Sequence, residues 1–157
     1  MSKTVIVTGA SRGIGHAISL YYAQKGFNVC VCCHKNADML DSLKDEIENI
    51  GADCMTYVGN IGIFENAAEF FSLIKERFGK ADILINNAGI SYIGLLQDMT
   101  PSDWNNIITS NLTSVFNCCK LAIPIMLGSH EGKIINISSV WGCVGASTEV
   151  AYSATKG

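Results

Sequence analysis

The run Thr4-Val5-Ile6-Val7-Thr8 passes directly into Gly9-Ala10-Ser11-Arg12-Gly13-Ile14-Gly15 and then into a helical pattern. The first five residues are apolar and β-branched, the mark of a buried strand. Ile14, Ala17, Ile18 and Tyr21 then recur on one helical face, which Lys25-Gly26 closes. Strand, glycine-rich turn and helix in that order constrain the chain more than any other feature. Glycines in such a turn let the backbone approach a pyrophosphate, whose charge is met by N–H groups at the helix N-terminus. A tight turn holding nothing would use the same residues, but three glycines in this setting favour a ligand. Contacts are expected from Gly9, Ser11, Arg12, Gly13, Ile14 and Gly15.

The alternation continues down the chain. Strands are predicted at Asn28 to Cys33, about Cys54 to Val58, Ile83-Leu84-Ile85 and Lys133 to Ile137. Between them, Leu40, Leu43, Ile47 and Ile50 mark one helix closed by Gly51, and Ala67, Phe71, Ile74 and Phe78 mark another closed by Gly79. Thr100-Pro101-Ser102-Asp103 opens a long helix, with threonine as cap, proline at the first helical position and an acid two residues on. That helix runs past Asn111 toward Leu127, its end bent by Pro124. Ile90 to Thr100 and Gly142 to Ala151 read as loops.

Strands separated by helices at this spacing imply an α/β fold with a doubly wound parallel sheet, in one domain over residues 1–157. A hydrophobic content of 48% against 16% charged residues suits strands buried on both faces. The net charge of −3, without a basic cluster, argues against nucleic acid as a partner. No apolar run is read as long enough to span a bilayer, and a membrane partner is not expected. The seven cysteines read as small buried apolar residues in a reducing cytoplasm. Cys30 and Cys33 point to opposite faces of one strand, which makes their spacing poor for a metal or redox pair. The three histidines have no carboxylate or cysteine arrangement suited to a metal, and Trp104 and Trp141 read as packing residues, with Trp141 a candidate substrate border.

In such sheets ligands bind beyond the carboxyl ends of the strands. Polar and glycine-rich residues fall there repeatedly: the glycine turn, Asn60, Asn86-Asn87-Ala88-Gly89 and Ser138-Ser139. After the second strand an acid would accept a ribose 2′-OH, but the chain carries His34-Lys35 there, with Arg12 in the glycine turn. Cations at this point suit a 2′-phosphate, so NADPH/NADP+ is favoured over NADH. At the end of the chain Tyr152 and Lys156 are four residues apart, on one face of a helix. A lysine ammonium beside a phenol stabilises the phenolate and brings its proton within reach of neutral pH.

Thr8-Gly9-Ala10-Ser11-Arg12-Gly13-Ile14-Gly15, Asn86-Asn87-Ala88-Gly89, Asn111, Ser139 and the Tyr152–Lys156 pair, in this order and spacing, resemble the short-chain dehydrogenase/reductase family from Thr4 to Gly157. Within it the chain looks most like the 3-oxoacyl-acyl-carrier-protein reductase group. The resemblance implies a Rossmann-type NAD(P)-binding domain whose C-terminal strands and helices are missing here, so the functional protein is expected to be longer. It also implies cofactor contacts from Asn87, Ala88, Gly89, Tyr152 and Lys156, and an adenine contact at Asn60-Ile61, where many members carry aspartate and valine.

The same resemblance assigns catalysis to Asn111, Ser139, Tyr152 and Lys156. Tyr152 gives the proton, Lys156 tunes it and holds the nicotinamide ribose, Ser139 bonds the substrate oxygen, and Asn111 holds a water linking Lys156 to solvent. The expected activity is NADPH-dependent reduction of a 3-oxoacyl thioester, small or carried on an acyl carrier, by a cytoplasmic homotetramer. Competing expectations are reduction of a sugar, steroid or small ketone, or a cofactor-binding fragment without activity.

Overall fold

The computed structural model describes residues 2–157. Its core is a parallel sheet of β1 (Thr4–Thr8), β2 (Asn28–Cys33), β3 (Cys54–Val58), β4 (Ile83–Asn86) and β5 (Lys133–Asn136), in the order β3-β2-β1-β4-β5. Every pairing is parallel, with Thr8 beside Cys32 and Asn86 beside Asn136 at the carboxyl ends. The chain leaves β1 in one direction to β2 and β3 and returns to β4 and β5 on the other side. The crevice at that reversal is where a doubly wound sheet receives its ligand.

Helices α1 (Gly13–Gln24) and α2 (Ala37–Ile50) cover one face. There Val5, Val7, Val29, Val31, Leu40, Leu43 and Ile47 form one buried cluster. Helix α3 (Phe64–Phe78) and the long helical stretch from Pro101 to Gly128 cover the other, around Ile6, Phe70, Ile74, Leu84, Cys118 and Ala122. Glycines 51 and 79 stop α2 and α3 in left-handed conformations, as predicted.

Several expectations need correction. The buried residues of α1 are Gly15, Ser19 and Ala23, one turn apart, whereas Ile14 and Tyr21 are exposed. Small side chains let this helix lie close on the sheet, so hydrophobicity did not mark its inner face. Ile18 does pack on the buried cluster, and with Ala17 and Tyr21 it borders a shallow apolar groove lined also by Ile85, Ile135 and Ile137. The long helix is interrupted: α4 (Pro101–Ile108) passes through a π-turn at Thr109–Thr113 into α5 (Ser114–Gly128). By length and composition alone Pro101–Gly128 is apolar enough to cross a membrane, contrary to the sequence reading, although Cys118, Ala122 and Met126 pack into the core against α3.

The Thr100 cap is a full capping box: its hydroxyl accepts from Asp103 N–H, and the Asp103 carboxylate accepts from Thr100 N–H. Both predicted loops contain helix, as a short 3₁₀ turn at Leu96–Asp98 and as α6 (Val140–Val144). The last helix, α7 (Val150–Lys156), starts before Tyr152. All seven cysteines are free, but Cys119 is only half-buried and Cys143 is exposed.

Candidate active site

A cleft of about 590 Å³ lies across the carboxyl ends of β1, β2, β3 and β4. Gly9, Ser11, Arg12, Gly13, Ile14, His34, Lys35, Asn60, Ile61, Asn87, Ala88 and Gly89 all line it. A volume of this order suits a cofactor-sized ligand. Gly9 has φ +65°, and a Cβ there would stand 2.7 Å from Ala88 Cα, so the turn has no room for a side chain. Gly15 stands behind the turn instead of on the cleft: its Cβ would meet Asn87 Nδ2 and Gly9 O at 2.6 Å. Its absence of a side chain serves helix–strand packing.

The ends of β1 and β4 are tied together. Thr8 Oγ1 accepts from the N–H groups of Asn87 and Ala88, both at 3.0 Å, and Asn87 Nδ2 donates to Thr8 O and Gly9 O. The Asn87 amide therefore shapes the floor of the cleft. At the start of α1 no side chain caps the helix and the first turn holds no acid, which leaves its N–H groups for an anion. Arg12 and Lys35 stand exposed on the rim, neither with a carboxylate within salt-bridge distance among the described residues. No aspartate or glutamate lines the cleft. These residues fit a nicotinamide dinucleotide: a cradle without side chains, free helical N–H groups and unpaired cations.

Lys156 does not line the cleft but stands at its end. A Cβ at Gly89 would lie 3.5 Å from both Lys156 Nζ and Asn111 Oδ1. The ammonium donates to Ile137 O at 2.8 Å and lies 5.9 Å from the centre of the Tyr152 ring. Half-burial pushes its pKa below the ordinary lysine value, because desolvation disfavours the charged form. Tyr152 itself is half-buried.

The two serines divide their duties. Ser138 donates its hydroxyl proton to Lys156 O, fixing the C-terminal end of α7. Ser139 caps α6, its oxygen accepting from Trp141 N–H at 3.3 Å, and its own proton has no acceptor among the described residues. That leaves Ser139 as the hydroxyl able to donate elsewhere. The helices α6 and α7 meet backbone to backbone: a Cβ at Gly142 would collide with Lys156 O.

Asn111 sits in the π-turn, buried at 1% exposure. Its amide exchanges a pair of hydrogen bonds with Ile90, Oδ1 accepting from Ile90 N–H at 2.8 Å and Nδ2 donating to Ile90 O at 2.9 Å. Nδ2 also donates to Thr155 Oγ1 at 3.1 Å. Both amide protons are thus engaged, and the side chain acts as a clamp between the loop after β4 and α7.

Sequence reasoning missed Asn106, Ser110 and Ser114, which also line the cleft, and Asn117, which donates to Ile61 O and Gly62 O and holds the loop after β3. A signal was available. Asn106, Ser110, Ser114 and Asn117 recur at steps of four, four and three, a polar stripe along one side of the helical stretch.

The short chain dehydrogenase family model matches residues 3–157. This chain belongs to that family. It is 42% identical over 99% of its length to the 3-oxoacyl-[acyl-carrier-protein] reductase FabG of Staphylococcus aureus, and 36% identical over 98% to the enzyme of that name from Thermotoga maritima. It spans 63% and 62% of those two relatives' lengths. A solved structure from Sinorhizobium meliloti, described as a short-chain alcohol dehydrogenase, superposes with a TM-score of 0.93 at 32% identity, over 99% of this chain and 62% of that one.

Proposed function

We propose that the protein is an NADPH-dependent carbonyl reductase whose substrate is a 3-oxoacyl thioester. The observation that carries this reading is the placement of the Lys156 ammonium beside both the Tyr152 ring and Gly89, at the end of the cleft whose other rim bears Arg12 and Lys35. The names of the relatives support the substrate class.

When bound, NADPH supplies the hydride that adds to the carbonyl carbon. The glycine turn and the N-terminus of α1 would hold its pyrophosphate, and Arg12, His34 and Lys35 would hold its 2′-phosphate. The phenol of Tyr152 gives its proton to the carbonyl oxygen as negative charge grows there. The Ser139 hydroxyl donates to the same oxygen. Lys156, with one proton on Ile137 O, has two left for the ribose and for stabilising the phenolate. Asn111 keeps Ile90 and α7 in place around the reaction. We place the enzyme in the cytoplasm as a homotetramer, a reading supported by its free cysteines and by exposed Phe116, Ile123 and Leu127 on α5.

The test is a fluorescence titration of the full-length protein with NADPH and NADH, followed by turnover of 3-oxoacyl thioesters, sugars and steroids. NADPH should bind at least about tenfold tighter, as expected for two phosphate-bound cations, and 3-oxoacyl thioesters should be reduced fastest. A preference for NADH would refute the role of Arg12 and Lys35, and turnover confined to another substrate class would refute the thioester.

A further inference from the structure

This inference rests on the reading of Tyr152 as the proton donor. The loop after β4 runs antiparallel to α7 and is fastened to it at several points. Gly89 stands beside Lys156, where a Cβ would lie 3.5 Å from Nζ. Ile90 is joined through the Asn111 amide to Thr155. Ser91 donates its hydroxyl proton to Glu149 Oε1, and Gly94 N–H donates to Thr148 O at 2.8 Å. Tyr152 lies between these fastenings, one turn after Glu149 and one turn before Lys156.

The two ends of α7 are held differently. At its last turn Ser138 meets Lys156 O, the Lys156 ammonium meets Ile137 O, and Gly142 packs on the Lys156 backbone. At its first turn the bond from Ala146 N–H to Ser153 Oγ stays within the segment, and Thr148 and Glu149 carry the links to the loop after β4. Glu149 is the N-cap residue, and its carbonyl accepts the first helical bond, from Ser153 N–H at 2.8 Å. Its carboxylate does not cap the helix, and no lysine or arginine lies within salt-bridge distance of it among the described residues. It reaches across to Ser91 instead, in a charge-assisted bond.

We infer that the bond between Ser91 and Glu149 is a latch that positions Tyr152. Glu149 is a positioning residue: it acts through the helical turn it begins, not on the reacting atoms. A seven-residue helix is too short to hold its direction by its own backbone bonds. A link at its first residue therefore sets where the phenol points, and a small displacement of a proton donor is enough to slow transfer.

The experiment compares full-length Glu149→Ala, Glu149→Gln, Ser91→Ala and the double alanine variant in single-turnover reduction of a 3-oxoacyl thioester at saturating substrate. NADPH affinity, read by fluorescence on the same preparations, also shows that each variant folds. Either single alanine variant should slow reduction by about tenfold while NADPH affinity stays within about twofold, because the glycine turn and the bonds of Lys156 are untouched. Glu149→Gln should stay within about threefold of the wild type, since a carboxamide oxygen accepts the same proton. The double variant should be no slower than the slower single one, the mark of one shared contact. Ser91→Ala at the wild-type rate, a glutamine variant as slow as the alanine one, or losses that multiply to about 100-fold overturn the inference and leave the proposed function standing. A wild type that reduces no thioester, or a Tyr152→Phe variant that reduces it normally, overturns the proton-donor reading and this inference with it.

Discussion

At the centre of the sheet, Thr8 accepts from Asn87 and Ala88, Gly9 packs on Ala88, and Val5, Ile6 and Val7 beneath them are fully buried. At the edge, Ser138 meets Lys156 at the end of β5, a strand whose Ile135 is 41% exposed, and Tyr152 rides on a seven-residue helix. The glycine-turn end of the cleft thus inherits its geometry from the most buried strands. The end bearing Tyr152 and Lys156 depends on a few local hydrogen bonds and one close helix contact. A short helix gains little stability from its own backbone bonds, so its orientation comes from what it touches. Perturbing those touches should separate the two ends.

The largest separation is expected from Gly142→Ala. The added methyl group collides with the backbone of Lys156 and must displace α7. Misplacement on that scale costs about 100-fold in turnover, while NADPH affinity falls far less, because only the ribose contact of Lys156 is disturbed and the glycine turn is untouched. Parallel activity and titration measurements check this, and a fully active variant would show that the contact between α6 and α7 does not set the geometry.

Asn111→Ala tests the clamp between the ends. Its loss leaves the N–H and C=O of Ile90 without their partner, at a cost of about 2 kcal/mol in stability. A shift in the urea midpoint reads it. An unchanged midpoint would mean that water replaces the amide freely.

The smallest effect is electrostatic. Folding lowers the pKa of Lys156, so between the folded and the unfolded value the unfolded chain binds more protons, and stability attributable to this residue rises with pH. Because Lys156 is partly in contact with solvent, the effect should stay below about 1 kcal/mol. Urea midpoints of the wild type and Lys156→Met at pH 8 and near the ordinary lysine pKa of about 10.4 give the difference. The wild type should gain relative to the variant as pH rises; an opposite trend would place Lys156 in a site that favours its charge.

The sequence was most readable where the fold repeats a simple rule. Apolar runs marked all five strands, and Gly51, Gly79 and the Thr100 box marked helix ends, because each is a local backbone requirement. Helix α1 was misread at its inner face because close packing there selects Gly15, Ser19 and Ala23, which carry little hydrophobic signal. The π-turn around Asn111 left no mark in composition: it depends on partners at Ile90 and Thr155, distant in sequence. Ser139 was singled out by resemblance, but the tie of Ser138 to Lys156 O depends on a residue distant in sequence. The motif residues were legible as a set, whereas Gly15 as a packing residue and Asn111 as a clamp were visible only in three dimensions.

The account places proton transfer on one phenol at the end of a cofactor cleft. Tyr152→Phe removes that hydroxyl and leaves the ring beside Lys156. In the full-length protein, NADPH binding by fluorescence and single-turnover reduction of a 3-oxoacyl thioester should be measured on the same preparation. The account predicts unchanged NADPH affinity with reduction lowered by about 100-fold or more, within the range for a lost general acid. Near-wild-type reduction by the phenylalanine variant would contradict it.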